Sequence, residues 1–333
     1  MRVAVIGATG VVGETILRVL EEHDVAVETL LAYASRDRAD AVTFRGVSLP
    51  VAAATSDRII ADRPHVAFFA SSDDASAEMA QALADAGIVV IDNSATFRLD
   101  PDCPLIVPEV NPHAAHPHHR IFPVGNCTAI VLCVALAPIE RAVGLRTVRV
   151  ATYQAVSGAG RAGLDALAAE ESGGAPTGTF AAPILHNVVP QVGSYSGVGN
   201  NGEEDKVAAE TRKTLNRPDL RVAATCVRVP VRQAHSEAVF FETERPTSVE
   251  ELAAALATAP GVVFHDRGIV TPLDVEGTDV VHVSRVRPEF DDDDSNYMMW
   301  IVGDQLRKGA ATNGVQILEM LIESGRFANA VSA

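Results

Sequence analysis

Through its first 126 residues the chain alternates short, continuously apolar runs with segments whose apolar positions recur at helical spacing. VAVIG (3–7), ETLLAYAS (28–35), HVAFFASS (65–72) and IVVIDNS (88–94) read as strands, and residues 11–22 and 76–87 read as helices. Continuous apolar strands with helices between them predict a parallel sheet covered on both faces. LIVPEV (105–110) and RIFPVGN (120–126) are expected to complete that sheet.

From Thr128 the pattern changes. TAIVLCVALAPIERAV is helical, with Pro138 near its end, and EEDKVAAETRKTL and SVEELAAALATAP are helical too. RTVRVATYQAVSG, VAATCVRVPV, EAVFFETE and DVVHVSRVRPE are strand-like. Long strands with few crossover helices imply an antiparallel or mixed sheet, hence a second domain of α+β type. The expected division is 1–126, with a final helix (309–325) and the rest of 309–333 packing back, and 127–308.

At 333 residues and 47% hydrophobic content there is material for two cores. A net charge of -16 argues against nucleic-acid or anionic-membrane partners. Only Lys206, Lys213 and Lys308 are lysines, the remaining basic residues being arginine. No apolar run reaches the roughly 18 residues of a membrane span. Met1 leads straight into a strand with no basic leader. Cys103, Cys127, Cys133 and Cys226 show no C-x-x-C spacing, so a reduced, cytoplasmic setting is expected. The Asp291–Asp294 run reads as a solvated loop, and the histidines of NPHAAHPHH as a loop, with no metal expected.

VAVIGATGVVGETIL places Gly7, Gly10 and Gly13 directly after the first strand. Such glycines permit a tight turn and let backbone N–H groups approach a pyrophosphate at a helix N-terminus. Thr9, Val11 and Val12 share that turn. At the end of the second strand, where an NAD enzyme carries an acid, stands Ala34-Ser35-Arg36-Asp37-Arg38. A hydroxyl and a guanidinium suit a 2′-phosphate, so NADP is the expected cofactor, with Ser35 and Arg36 as contacts and Arg38 as a second arginine within reach. None of Tyr33, Tyr153, Tyr195 and Tyr297 has lysine four residues on, which sets aside short-chain reductases.

GNCTA (125–129) puts Cys127 where a helix begins. A helix N-terminus favours the thiolate, and the Cys127 N–H with the Asn126 side chain could form an oxyanion hole. Alone, the position reads equally as a small core residue like Cys133. His235 closes VPVRQAHSE seven residues after Arg228. It reads either as a proton shuttle beside a carboxylate-gripping arginine or as a strand-end histidine.

GATGVVG, DNSATFR (92–98), VPEVNP (107–112), GNCTA, QAVSGAG (154–160), EEDK (203–206), RVPVRQAHSE (228–237) and LRKGAATNGVQI (306–317) occur in that order over almost the whole chain. In this the sequence resembles the aspartate-semialdehyde dehydrogenases. The resemblance implies an N-terminal Rossmann-type parallel-sheet domain and a C-terminal α+β catalytic and dimerisation domain. It implies NADPH-dependent conversion of the acyl phosphate 4-phospho-L-aspartate to L-aspartate 4-semialdehyde, with release of inorganic phosphate. Cys127 matches the thiol nucleophile that becomes a thioester, His235 the acid/base and Gln154 the substrate-orienting glutamine. Arg228 matches the carboxylate clamp, and Arg98 and Lys206 the phosphate site. Glu203, or its neighbour Glu204, matches the acceptor of the substrate amino group. Ser157, Gly158 and Asn313 match contacts near the nicotinamide. A homodimer or homotetramer, serving amino-acid biosynthesis, is implied.

The chain departs from the family with N-C-T-A in place of N-C-S-T, DNSATFR in place of DNSSAFR, and FFASSDDAS in place of a more glycine-rich stretch. None of these removes a catalytic group. The competing readings are N-acetyl-glutamyl-phosphate reductase, which has no use for Glu203, and a non-enzymatic paralogue.

Overall fold

The structure is a computed structural model that describes residues 1–36, 41–196 and 199–328. It divides into two compact units, Met1–Gly125 with the chain from Ala310 onward, and Asn126–Gly309. Asp37 and Arg38 lie outside the described residues.

The first unit is built on a seven-stranded sheet of order β3-β4-β2-β1-β5-β6-β7. Its strands are β1 (Arg2–Ile6), β2 (Thr29–Ala34), β3 (Ala41–Phe44), β4 (Val47–Ala53), β5 (Val66–Phe69), β6 (Val89–Asp92) and β7 (Ile121–Pro123). All neighbours run parallel except β3 against β4, an antiparallel edge hairpin that the apolar pattern did not reveal. Alternate strand residues feed opposite faces. Ala4, Ile6, Ala67, Phe69 and Val90 pack under α2 (Ser56–Asp62) and α3 (Asp73–Asp85) through Ile59, Met79 and Leu83. On the other face α1 (Val11–Glu22) meets α9 (Thr312–Glu323), whose Gly314 lies against Phe68 and Ile91. The parallel, doubly covered sheet is as expected, but LIVPEV is not a strand of it. There Asn111 replaces a ladder neighbour: its amide oxygen accepts from the Val107 N–H and its nitrogen donates to the Leu105 carbonyl, both at 2.9 Å. The buried backbone is satisfied by one side chain.

The second unit holds a six-stranded mixed sheet of order β11-β12-β13-β10-β8-β9. The strands are β8 (Leu145–Gln154), β9 (Arg221–Arg228), β10 (His235–Thr243), β11 (Val262–His265), β12 (Val281–Pro288) and β13 (Asn296–Gly303). Helices α4 (Cys127–Val143), α6 (Gly202–Thr214) and α7 (Val249–Ala257) cluster together, α4 against the central strands. The opposite face carries Arg149, Tyr153, Phe240 and Trp300, none fully buried, with the Tyr153 and Trp300 rings 5.5 Å apart. Helix α5 (Gly160–Glu171) follows β8 and packs through Leu167 on Val156, Ile184 and Val189, while the short α8 (Pro272–Val275) contributes Val275 to a small cluster with Ala234, Val270 and Val302. Beyond β13 a wide turn, Arg307–Ala311, leads into α9.

Glu237 on β10 is fully buried, and neither carboxylate oxygen has a hydrogen-bond partner among the described residues. Burial pushes its carboxyl well above the ordinary range. The folded chain therefore holds a proton that the unfolded chain has released by neutral pH. The sign follows: this residue's stability is full below the unfolded value and is lost as pH rises toward the folded one, by at most about 1.4 kcal/mol per pH unit. Glu237→Gln should flatten the dependence and melt higher than the parent at pH 8; equal slopes in melting scans from pH 5 to 8.5 would contradict it.

Candidate active site

Cys127 is the first residue of α4, and Asn126 is its N-cap. The Asn126 side-chain oxygen accepts from the N–H groups of Thr128 and Ala129, each at 3.1 Å. Its nitrogen donates to Glu203 Oε1 at 2.9 Å, and its backbone N–H donates to the buried Glu210 carboxylate. Sequence reasoning put this side chain in an oxyanion hole. In the structure its oxygen caps the helix and one amide hydrogen goes to Glu203; an oxyanion contact would use the other. Gly309 packs on Cys127, with a hypothetical Cβ only 3.0 Å from the cysteine's own.

His235, the first residue of β10, is fully buried, with Nε2 3.5 Å from Cys127 Sγ. Its Nδ1 accepts the Ala155 N–H at 3.1 Å. A backbone N–H can only donate, so the neutral ring carries its proton on Nε2, facing the sulfur. Burial, then the nearby Arg228 charge, pull the imidazole well below its usual pKa, against a smaller opposing effect of the Ala234 backbone. The ring is thus neutral at physiological pH. Arg228, at the end of β9, is 5% exposed and donates through Nη1 to the Ala155 carbonyl at 2.6 Å. Its guanidinium lies 5.8 Å from the Phe180 ring centroid. Burial lowers its pKa, and the neighbouring Cys127 and Glu203 side chains work against that lowering.

Gln154, the last residue of β8, donates through Nε2 to Thr128 Oγ1 at 3.0 Å and Glu203 Oε1 at 3.2 Å, with Thr152 Oγ1 at 3.3 Å. Glu203 therefore joins Asn126 to Gln154. Glu204 is used differently. It completes the capping box of α6 with Asn201, and its other oxygen accepts the Cys226 N–H at 2.9 Å. Lys206 lies three residues after Glu203 on α6, hence on the same side of the helix. Ser157 is buried and accepts from Gln305. Gly158 leaves room for two neighbours: an added Cβ would sit 2.7 Å from Arg228 Nη1 and 3.2 Å from His235 Nε2.

In the first unit Gly7 has φ of +87°, and a Cβ there would sit 2.2 Å from the Ala70 carbonyl oxygen. At Gly13 a Cβ would sit 2.2 Å from the Gly7 oxygen, so both positions admit only glycine. Gly10 is the N-cap of α1 with no side-chain cap, which leaves the first turn, Val11 and Val12 included, to present backbone donors. Thr9 stands in the same turn, and Ser35 and Arg36 are at or just beyond the C-terminal end of β2, Arg36 exposed. These residues fit a dinucleotide. Arg98 is held by the carbonyls of Val124 and Asn93, each at 2.8 Å, and Asn313 by the Ile106 carbonyl at 2.9 Å. Asp92, fully buried, collects the hydroxyls of Ser76 and Ser94 and the Ser94 N–H, and so shapes the DNSATFR turn. Sequence reasoning missed Thr128, Thr152, Ala155, Phe180 and Glu210. Only Thr128 carried a signal, as the residue that departs from the family motif beside the cysteine.

Residues 2–118 match the family model described as semialdehyde dehydrogenase, NAD binding domain, and residues 136–308 match semialdehyde dehydrogenase, dimerisation domain. The chain is 42% identical to aspartate-semialdehyde dehydrogenase 2 of Vibrio cholerae, over 96% of this chain and 97% of that one. It belongs to the aspartate-semialdehyde dehydrogenase family. The Aquifex aeolicus member is 40% identical, with 97% of this chain and 98% of that one covered. The crystal structure of aspartate semialdehyde dehydrogenase II from Vibrio cholerae complexed with ASA superposes with a TM-score of 0.92 at 41% identity, covering 97% of this chain and 98% of that one. Aspartate-semialdehyde dehydrogenases are oxidoreductases of amino-acid biosynthesis, and the NAD-binding and dimerisation units of this chain are those of the family. Among the described residues no helix is long and apolar enough to cross a membrane.

Gly158→Ala should displace the Arg228 guanidinium. The expected result is a rise of about tenfold in the KM for the semialdehyde substrate, about 1.4 kcal/mol, with an unchanged melting temperature. An unchanged KM would show that the guanidinium does not depend on this gap.

Proposed function

We propose that the chain catalyses the NADPH-dependent reductive dephosphorylation of 4-phospho-L-aspartate to L-aspartate 4-semialdehyde through a thioester on Cys127. The observation that carries the reading is the Cys127 Sγ to His235 Nε2 approach of 3.5 Å at the first turn of α4. Negative charge on the sulfur is favoured by the helix N-terminus and by the Arg228 field. The thiolate attacks the acyl phosphate carbon; the carbon–oxygen bond to phosphate breaks, and phosphate leaves with that electron pair. NADPH, when bound, would supply a hydride to the thioester carbon. The resulting tetrahedral alkoxide on Cys127 collapses, expelling the thiolate and releasing the aldehyde. His235 keeps its Nε2 proton against whichever anion stands beside it, the sulfur or the alkoxide oxygen. Arg228 grips the substrate carboxylate with the part of its fork not bound to Ala155. Glu203 receives the ammonium, since Glu204 is committed to the α6 cap. Arg98 and Lys206 serve the phosphate.

Gly7, Thr9, Gly10, Val11, Val12 and Gly13 would hold the pyrophosphate, Ser35 and Arg36 the 2′-phosphate, and Ser157, Gly158 and Asn313 the nicotinamide end. The apolar sheet face around Tyr153 and Trp300 is the surface for a second copy of the chain. The free amino group that Glu203 accepts favours this substrate over an N-acetylated acyl phosphate.

The reading is tested in the reverse direction, with aspartate semialdehyde, phosphate and either NADP or NAD. Cys127→Ala should abolish phosphate-dependent turnover and retain NADP binding; near-normal turnover would sink the mechanism. Arg36→Ala should narrow the NADP-over-NAD preference about tenfold. Because the His235 imidazole is held below its ordinary pKa, kcat/KM should show no acidic limb near pH 6.5. A limb there that vanishes in His235→Gln would contradict a neutral ring.

A further inference from the structure

Gln154 is 1% exposed, and its amide is fixed in one sense. Glu203 Oε1, 3.2 Å from Nε2, can only accept, so the nitrogen and not the oxygen faces that carboxylate. Two amide hydrogens then face three oxygens, those of Thr128, Glu203 and Thr152, at 3.0, 3.2 and 3.3 Å. Thr128 and Thr152 are both fully buried. Thr128 comes from the second residue of α4 and Thr152 from β8, two residues before Gln154, so helix and strand both hold the amide. The amide oxygen has no hydrogen-bond partner among the described residues.

We infer that the Thr128 and Thr152 hydroxyls are positioning groups that lock the Gln154 amide with its nitrogen inward and its oxygen presented to substrate as a second acceptor for the ammonium beside Glu203. A buried amide with its nitrogen satisfied offers only an acceptor, and a substrate with no N–H to give leaves that oxygen dry and unpaired. Such a site rejects the analogue that lacks the donor. The inference rests on the reading of Gln154 and Glu203 as substrate contacts.

The test pairs isosteric variants with two substrates. Thr128→Val and Thr152→Val keep shape and lose the hydroxyl; Thr128→Ser keeps the hydroxyl. With aspartate semialdehyde, phosphate and NADP, each valine variant should lose at least about tenfold in kcat/KM, while Thr128→Ser stays within about threefold. With succinate semialdehyde, which lacks the amino group, the valine variants should change kcat/KM by less than about threefold, so discrimination between the two aldehydes falls. Equal losses on both aldehydes, or a serine variant as impaired as the valine one, would mark a packing role and overturn the inference. Gln154→Leu is the control for the underlying reading. If it leaves discrimination intact, the assignment of Gln154 has failed; if it alone removes discrimination, only the threonine lock has failed.

Discussion

The first turn of α4 is pinned from both sides by carboxylates, and the rest of the site depends on that clasp. Glu210 takes the Asn126 backbone N–H, Glu203 takes its side-chain nitrogen, and the side-chain oxygen closes onto the next two helical N–H groups. A residue so held has no rotational freedom left, so the cysteine that follows cannot wander. Its sulfur is fixed where a buried imidazole, itself tethered by the Ala155 N–H, points its one proton. Ala155 is engaged twice, with its N–H on His235 and its carbonyl on Arg228. One residue of the loop after β8 therefore sets the separation of the histidine and the arginine.

The same residues explain why charge can be stored here without unfolding the unit. Arg228 is buried, which alone would cost several kcal/mol. It is compensated by a carbonyl, by an aromatic face and by the fields of Cys127 and Glu203. Glu203 is in turn bonded by two amides, both on Oε1, and its other oxygen remains to meet a ligand. Glu237, on the same strand as His235, has no such partners among the described residues, and burial raises its pKa instead.

Much of this was legible in the sequence, and the reasons differ by residue. The glycines of the first turn are dictated by backbone collisions at Gly7 and Gly13, so their spacing is a direct imprint of geometry. Cys127, His235, Arg228 and Gln154 were legible through their motifs in sequence order. The choice between Glu203 and Glu204 was not, because it turns on which carboxylate caps α6. That Asn126 also caps α4 was not legible for a related cause: the cap depends on which N–H groups the helix leaves orphaned. LIVPEV has strand composition yet forms no ladder, since Asn111, outside the apolar run, supplies its hydrogen bonds. The β3–β4 hairpin and β13, with Met298, Met299 and Trp300 at its centre, escaped because neither shows a strong run of β-branched residues. Phe180, over the Arg228 guanidinium, comes from an irregular loop that no periodicity flags.

The central claim is that Cys127 is the atom that becomes acylated, with His235 neutral beside it. The direct measurement is intact-protein and peptide mass spectrometry of the enzyme mixed with aspartate semialdehyde and NADP without phosphate. The account predicts one aspartyl group, as a thioester on the peptide containing Cys127, that disappears when phosphate is added. An unmodified Cys127 under those conditions, or an acyl group on Cys103, Cys133 or Cys226 instead, would contradict it.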